Sequence, residues 1–205
     1  MDYVENKLQQ LIHRPGDINE HLATLSKYAS ECQSVFETGV RGCISSWAFT
    51  HGLLHNGCED SNKKLFMNDI DACNIDELLH VTQSLPISVE YQWINNLKLE
   101  LNETFDLTFI DTWHIYGQLK RELQKFAPIT KKYIIMHDTT VDEWLGETIR
   151  CGWDAKQQSI DSGFPEEEIT KGLWYAVDEF LSANPEWVLH ERFTHNNGLT
   201  ILRRV

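Results

Sequence analysis

Hydrophobic residues follow two different spacings along this chain. Over residues 2–12 and 19–31 they recur every three or four positions, which predicts two helices separated by Pro15-Gly16-Asp17. After residue 33, short apolar runs alternate with helical stretches, an order typical of a parallel sheet covered by helices. The predicted strands are 34–37, 64–67, 88–94, 107–110 and 133–136. Three helical stretches lie between them: one ends near residue 54, and the other two span about 75–84 and 116–126.

The last part of the chain changes to an antiparallel pattern. A predicted helix over 173–181 is followed by two apolar runs, 187–193 and 199–202, with Asn196-Asn197-Gly198 between them. Asn-Gly favours the positive φ angles of a tight hairpin turn. The sequence therefore predicts an α/β fold whose parallel sheet ends in an antiparallel C-terminal hairpin.

Length and charge narrow the classes of fold and partner. The 205 residues are enough for one domain, with N-terminal helices over 1–31 and a sheet core over 32–205. A formal net charge of −13 argues against nucleic acid as a partner, because such binding relies on Lys and Arg that neutralise phosphates. No apolar run approaches the ~20 residues that cross a bilayer, so we predict no membrane insertion.

The cysteines and the N-terminus indicate a cytoplasmic protein, in the host cytoplasm if the source is viral. The segment MDYVENKLQQ has neither the basic nor the apolar region of a signal peptide. The cysteines have no CxxC spacing, which predicts neither a disulfide framework nor a zinc knuckle and fits a reducing compartment. They are Cys32, Cys43, Cys58, Cys73 and Cys151.

Candidate ligand-binding residues follow the first two predicted strands. Glu37, Gly39 and Gly42 lie where a strand passes into a helix, and glycine there allows close approach of a ligand. The alternative is that a tight turn alone needs the glycine. At the tip of the second strand, Asp69 or Asp71 can accept the hydroxyls of a ribose, which indicates a nucleoside-containing cofactor. The alternative is that one of these acids caps the next helix.

Acid and imidazole groups end two further strands. Asp111, His137 and Asp138 are candidates for a divalent-cation site, with carboxylates suiting magnesium or manganese. The alternative is a cap at Asp138 and a packed ring at His137. His114, three residues after Asp111, is the candidate general base because an imidazole can accept a proton near neutral pH.

Several other patterns carry less information. His51 and His55 lie four residues apart, but without a third ligand this spacing predicts a solvated helix face. A group of tryptophans has two interpretations: it lines an acceptor pocket, or it belongs to the core. These residues are Trp144, Trp153 and Trp174. An NAD-dependent oxidoreductase would have GxGxxG after the first strand, where this chain has ExGxxG.

Taken together, VFETGVRGCISS, LFMNDID, DLTFIDTWHIYGQLKREL and YIIMHDTT resemble class I methyltransferases. The resemblance is to the cephalosporin-hydroxylase-like and metal-dependent sugar (rhamnosyl) O-methyltransferases of bacterial or viral type, and it covers about residues 17–204. It implies a Rossmann-like three-layer sandwich with a mostly parallel seven-stranded sheet. It also implies S-adenosylmethionine as the cofactor.

The resemblance further implies roles for individual residues. Catechol-type members have lysine where this chain has His114, and sugar enzymes often have histidine, so His114 favours a sugar acceptor. Metal-dependent members usually carry two acidic or acid/amide residues after the later strand, and His137 in the first of these positions leaves the metal requirement open. The implied S-adenosylmethionine site contains Glu37, Gly39, Gly42 and Ser45 near the methionine part, Asp69 at the ribose, Asn95 near the adenine, and also Asp111 and Trp113.

The resulting hypothesis is methyl transfer to a sugar hydroxyl, for example on rhamnose or another deoxyhexose of a glycan. A metal on Asp111, His137 and Asp138 would chelate the acceptor while His114 removes its proton. The alternatives are a non-catalytic glycan-binding or structural module with the same fold, and a catechol-type O-methyltransferase of small molecules. The presence of Asp111, His114 and Asp138 together favours catalysis. The oligomeric state stays open, with a homo-oligomer as one outcome.

Overall fold

The computed structural model describes residues 2–57 and 62–205, which leaves Cys58 outside the described residues. None of the helices in these two ranges is long and apolar enough to span a membrane. The strands are β1 Ser34–Thr38, β2 Lys64–Asp69, β3 Ser88–Trp93, β4 Phe105–Ile110, β5 Thr130–His137, β6 Trp187–Phe193 and β7 Leu199–Arg204. The helices are α1 Asp2–His13, α2 Leu22–Ser30, α3 Ile44–Leu54, α4 Asp76–Thr82, α5 Tyr116–Phe126, α6 Glu147–Arg150, α7 Ala155–Ser162, α8 Glu166–Thr170 and α9 Trp174–Ala183.

All seven strands form one sheet in the order β3-β2-β1-β4-β5-β7-β6. The first five strands in this order pair in parallel, and β7 pairs antiparallel with both β5 and β6. This confirms the predicted parallel sheet with an antiparallel C-terminal hairpin. Because β1 pairs with β2 on one side and with β4 on the other, the strand order reverses beside β1. Such a reversal opens a crevice at the carboxyl ends of the strands.

The hairpin turn confirms the conformation that its sequence predicts. Asn196, Asn197 and Gly198 have φ angles of 44°, 67° and 99°. The side chain of Asn196 also binds the N-terminal segment, accepting from the Glu20 N–H at 3.0 Å and donating to the Gly16 carbonyl at 2.8 Å. The hairpin tip therefore fixes the chain that leads into α2.

Helices cover both faces of the sheet and give the three layers that were predicted. On one face, Leu25 of α2 and Leu53 of α3 are fully buried in a core that also contains α1. On the other face, Phe126 of α5 and Val177 of α9 are fully buried in a second core. The central strands lie between the two cores, which explains why they read as almost continuous apolar runs.

Two local features differ from the sequence-based prediction. The second N-terminal helix begins with a 3-10 turn over Asn19–His21 before α2 starts. Residues 138–172, for which no element was predicted, contain the short helices α6, α7 and α8. Since α7 buries none of its residues, its sequence has no apolar period from which a helix could be recognised.

The junction between β1 and α3 buries a carboxyl group. Glu37 is fully buried, the Ser46 hydroxyl donates to one of its oxygens at 2.6 Å, and the Ser45 hydroxyl donates to the other. Burial raises the pKa of Glu37 to about 8, although the two hydroxyl donors act in the opposite direction. A protonated Glu37 thus joins the end of the strand to the first turn of the helix.

This pKa predicts a pH-dependent stability. The contribution of Glu37 is fully present below its ordinary pKa of 4.5 and is lost as the pH rises to about 8, because the unfolded chain ionises first. Glu37→Gln cannot titrate. We therefore expect the free energy of unfolding of this variant, relative to wild type, to increase by about 1.4 kcal/mol per pH unit across this window. Urea denaturation of the ligand-free protein at several pH values measures it.

Glu166→Gln is the matched control, because Glu166 is exposed on α8. Its free energy of unfolding should differ from wild type by a constant amount at every pH. Parallel pH profiles for wild type and Glu37→Gln would contradict the prediction.

Candidate functional site

A cavity of about 910 Å³ opens at the crevice beside β1. Its volume lies in the range of small-molecule sites. The residues predicted for the cofactor and the chemistry come together in its wall, although they are far apart in sequence. Those that line it are Gly39, Gly42, Ser45, Asp69, Asn95, Asp111, Trp113, His114 and Asp138.

Glu37 and His137, two other predicted site residues, lie behind this wall. The Glu37 carboxyl is bonded to Ser45, which does line the cavity. The His137 ring is buried, with 2% of the residue exposed. Glu37 therefore supports a lining residue, and the Nδ1 atom of His137 lies 3.4 Å from the Asp111 carboxylate in the wall.

Gly39 brings the ends of β1 and β4 into close contact. Its φ is 91°, and a Cβ at this position would lie 1.8 Å from the carbonyl oxygen of Asp111. The Gly39 N–H donates to the Asn68 carbonyl at 2.9 Å, and the Asp111 N–H donates to the Thr38 carbonyl at 2.9 Å. Only glycine fits here, because the angle and the space both exclude a side chain.

Asp69 fastens the loop that contains these glycines. One carboxylate oxygen accepts from the N–H groups of Val40 and Arg41 at 2.7 and 2.9 Å, and the other accepts from the Asp71 N–H at 2.9 Å. The contact of Asp69 with a ribose stays a prediction. Asp71 is exposed in the same part of the cavity wall and is the more accessible of the two acids.

A buried glutamate that sequence reasoning missed supports the adjacent wall. One carboxylate oxygen of Glu122 accepts from Asn96, Thr112 and Gln118 at 2.5, 2.6 and 2.7 Å, and all three donors line the cavity. Burial raises the pKa of Glu122. The signal in the sequence is its position on the apolar face of α5.

Asn95, predicted near the adenine, caps the 3-10 turn that follows it by accepting from the Leu97 N–H at 2.9 Å.

His114 lies at the centre of a cluster of carboxylates. Its Nε2 is 3.1 Å from Asp111 Oδ1 and 3.1 Å from Asp138 Oδ2. Its Nδ1 is 3.4 Å from Asp142 Oδ2 and 3.7 Å from Glu147 Oε2. The structure therefore brings the predicted base and two predicted metal ligands into direct contact.

This surplus of carboxylates determines the protonation of the cluster. Burial disfavours a charged imidazole, but the hydrogen bond with Asp111 and the nearby carboxylates of Asp142 and Asp138 outweigh it and raise the pKa of His114 well above its ordinary value. For His137, burial is likewise outweighed by the charge of Asp111, and the pKa rises to about 10. Both shifts favour the doubly protonated, positively charged ring in the ligand-free protein.

The donor set of Asp111, His137 and Asp138 fits a divalent cation. One ligand atom from each residue lies within 4.8 Å of the other two. The buried atoms His137 Nδ1 and Asp138 Oδ1 have no hydrogen-bond partner among the described residues. The other ring nitrogen of His137, Nε2, lies 3.3 Å from the Asn196 carbonyl. A hydrogen bond at the nitrogen that does not bind the metal commonly orients a metal-binding histidine.

Asp142 and Arg150 complete the cluster and were not predicted from the sequence. The Arg150 guanidinium donates to both carboxylate oxygens of Asp142 at 2.6 and 2.8 Å, and Asp142 is fully buried. Because this arginine already neutralises Asp142, a cation is better placed between Asp111 and Asp138. The segment that carries both residues has no apolar periodicity, and so its sequence gave no indication of their pairing.

The aromatic wall of the cavity consists of residues other than the tryptophans considered above. Trp113 and Phe164 stack with ring centroids 5.9 Å apart and an interplanar angle of 15°, and both line the cavity. Trp144, Trp153 and Trp174 are not among the lining residues. Trp144 and Trp153 are about half exposed, and Trp174 stacks on Arg192 at 3.7 Å. The acceptor-pocket interpretation of these three tryptophans is therefore wrong.

Comparisons with known proteins identify the fold. No protein-family profile matches this chain, and no curated protein sequence matches it. Among solved structures, an O-methyltransferase from Bacillus cereus in complex with S-adenosylhomocysteine has a TM-score of 0.59 at 15% identity, and the match covers 100% of this chain and 91% of that one.

Two further solved structures give the same result. A methyltransferase from Podospora anserina with bound S-adenosylhomocysteine has a TM-score of 0.57 at 14% identity, covering 100% of this chain and 88% of that chain. The N-methyltransferase NodS from Bradyrhizobium japonicum has a TM-score of 0.54 at 15% identity, covering 90% and 93%. At such identities the likeness is one of fold, and the conclusion is that this chain has a Rossmann-like methyltransferase fold.

Proposed function

We propose that this chain is an S-adenosylmethionine-dependent O-methyltransferase that acts on a hydroxyl group of a sugar or another small acceptor. The observation that carries the proposal is a single cavity with the Gly39 loop and Asp69 on one side and the His114 cluster on the other. About 910 Å³ is enough for a nucleoside cofactor beside a small acceptor. The fold is shared with solved methyltransferases bound to S-adenosylhomocysteine.

The cavity lining supports a neutral, hydroxylated acceptor. Seven acidic residues line the cavity against one lysine and one arginine, and the arginine, Arg41, is itself paired with Asp17 at 2.6 Å. An anionic acceptor or a nucleic acid would be repelled by this surface. Trp113 and Phe164 offer apolar ring faces against which a sugar ring can pack. The resemblance of the His114 motif to sugar enzymes points the same way.

Asp111, His137 and Asp138 would hold a magnesium or manganese ion in this proposal. Such an ion supplies a positive charge that lowers the pKa of a hydroxyl bound to it. The carboxylates suit both ions, and the imidazole favours manganese.

His114 is the proposed general base. Its pKa is raised by Asp111, Asp142 and Asp138, so it accepts a proton from the acceptor only when part of this negative charge is compensated. Its Nε2 then takes the hydroxyl proton. The acceptor oxygen forms a bond to the methyl carbon of the cofactor as the bond from that carbon to sulfur breaks, leaving S-adenosylhomocysteine.

One observation favours the second candidate, a non-catalytic module with the same fold. A protonated His114 bridging Asp111, Asp138 and Asp142 is also what a purely structural ion-pair network would contain. Turnover measurements on variants of His114 distinguish the two candidates.

The proposal includes one domain over residues 1–205 and a cytoplasmic location. α1 and α2 share a core with α3, and the hairpin tip binds the segment between α1 and α2, which supports a single folding unit. Cys32 and Cys43 are buried free thiols, which persist in a reducing compartment.

The first prediction from the proposed function concerns the cofactor. Calorimetric titration of the purified chain should show micromolar binding of S-adenosylmethionine and S-adenosylhomocysteine, and NAD should not bind. Asp69→Asn should weaken binding, because it alters the carboxylate that fastens the glycine loop. Asp178→Asn, an exposed change on α9, is the control. Absence of binding to both adenosyl compounds would overturn the proposed function.

The second prediction concerns the base. His114→Ala should lower transfer of labelled methyl groups to an acceptor found by screening glycans and polyols, by roughly 10²- to 10⁴-fold. Binding of S-adenosylhomocysteine and the melting temperature are measured beside it, because removal of the ring leaves Asp142 without one of its partners. His80→Ala on α4 is the control. Unchanged turnover in His114→Ala would exclude His114 as the base.

The third prediction concerns the metal. Treatment with a chelator should abolish methyl transfer, and magnesium or manganese should restore it. In Asp138→Asn, the same ions should fail to restore activity, because one carboxylate ligand is lost. Full activity of the chelated, metal-stripped protein would remove the metal from the mechanism while leaving methyl transfer itself intact.

A further inference from the structure

A second cluster of metal-binding side chains lies on the helical layer, away from the cavity. His51 and His55 are one turn apart on α3, with ring centroids 4.1 Å apart and an interplanar angle of 27°. Glu5 of α1 bonds to His51 Nε2. One ligand atom from each of these three residues lies within 4.8 Å of the other two, and none of the three lines the cavity.

Hydrogen bonds orient both imidazole rings. His51 Nδ1 is 2.7 Å from the Ser26 hydroxyl on α2, and His55 Nδ1 is 2.8 Å from the His51 carbonyl, to which it donates. The His51 Nε2–H donates to the Glu5 carboxylate, and an ion bound at this nitrogen would replace that proton while Nδ1 keeps its contact with Ser26. At His55 the proton is on Nδ1, so its Nε2 presents a lone pair. In metal sites, a hydrogen bond at the ring nitrogen that does not bind the metal orients the histidine in the same way.

The three helices hold these side chains on a rigid support. At Gly52 a Cβ would lie 2.2 Å from the Ser26 carbonyl oxygen, so α2 and α3 are in backbone contact beside His51. On α1, Val4 and Leu8 are buried against the same core. Donors on packed helices keep their relative positions better than donors on loops.

We propose that Glu5, His51 and His55 form a binding site for zinc that ties α1 to α3. Two imidazoles and one carboxylate are a donor set that zinc accepts, with water in the fourth position of a tetrahedron. Magnesium and calcium prefer oxygen donors and do not suit this set. The sequence left HxxxH without a third ligand, and α1 supplies it.

The site needs only a local adjustment to bind the ion. Zinc lies about 2.0–2.2 Å from nitrogen and oxygen ligands, so the Glu5 carboxylate has to move back from His51 to admit it. The Glu5 side chain is 46% exposed and can do so without disturbing the core. His55 is exposed at the outer edge, which gives the ion a route from solvent.

The test is a zinc titration of the full chain after removal of bound metal. We expect wild type to bind one more equivalent of zinc than His55→Ala, since any zinc held by Asp111, His137 and Asp138 is common to both proteins. At zinc about 100-fold above its Kd, the melting temperature should rise by about 5–10 °C more in wild type than in the variant.

Two further variants make the result specific. Glu5→Gln keeps the shape of the side chain but removes its charge, and it should weaken zinc binding at this site. His80→Ala removes an exposed histidine from α4 and should bind zinc as wild type does. Equal zinc stoichiometry and equal gain in melting temperature in wild type, His55→Ala and Glu5→Gln would overturn the proposal.

Discussion

The contact between the ends of β1 and β4 is the constraint on which the site depends. At Gly39 the backbone passes so close to the Asp111 carbonyl that no side chain fits. Backbone hydrogen bonds continue from this point into β2 and β4, which fixes three strand ends relative to one another. The glycine loop proposed to hold the cofactor and the strand end that carries the acid and the base thus share one rigid junction. A cofactor methyl group and an acceptor hydroxyl can meet only if these two parts are held together.

Buried negative charge is the second constraint. Asp111, Asp138 and Asp142 converge in the interior, where a carboxylate is costly unless it is paired. His114 and Arg150 compensate part of this charge, and the pKa of His114 is raised as a result. The same surplus supports the proposed cation site and the proposed neutral acceptor. It also couples the proposed base to the proposed metal, because both respond to the same two carboxylates.

Much of the architecture follows from local pattern. The seven strands, the helices α1 to α5, α9 and the hairpin turn at Asn196-Asn197-Gly198 agree with spacing and turn chemistry in the sequence. The helices α6 to α8 do not show in the pattern, because they are short and α7 buries nothing. The acceptor-pocket role considered for Trp144, Trp153 and Trp174 failed because side-chain type indicates neither which way a ring points nor which cavity it faces.

The sequence by itself determined the type of sheet and the strand ends whose polar residues meet at the cavity, because periodicity and strand-end position are local properties. Tertiary structure alone decided which charges meet. It paired Arg150 with Asp142, placed the Glu122 carboxyl beneath the cavity wall, and brought Glu5 to His51 across 46 positions of chain. Such contacts depend on how helices and strands pack, and residue spacing carries no information about them. The sequence also could not determine the protonation of His114, because the pKa of a side chain depends on its burial and on neighbouring charges.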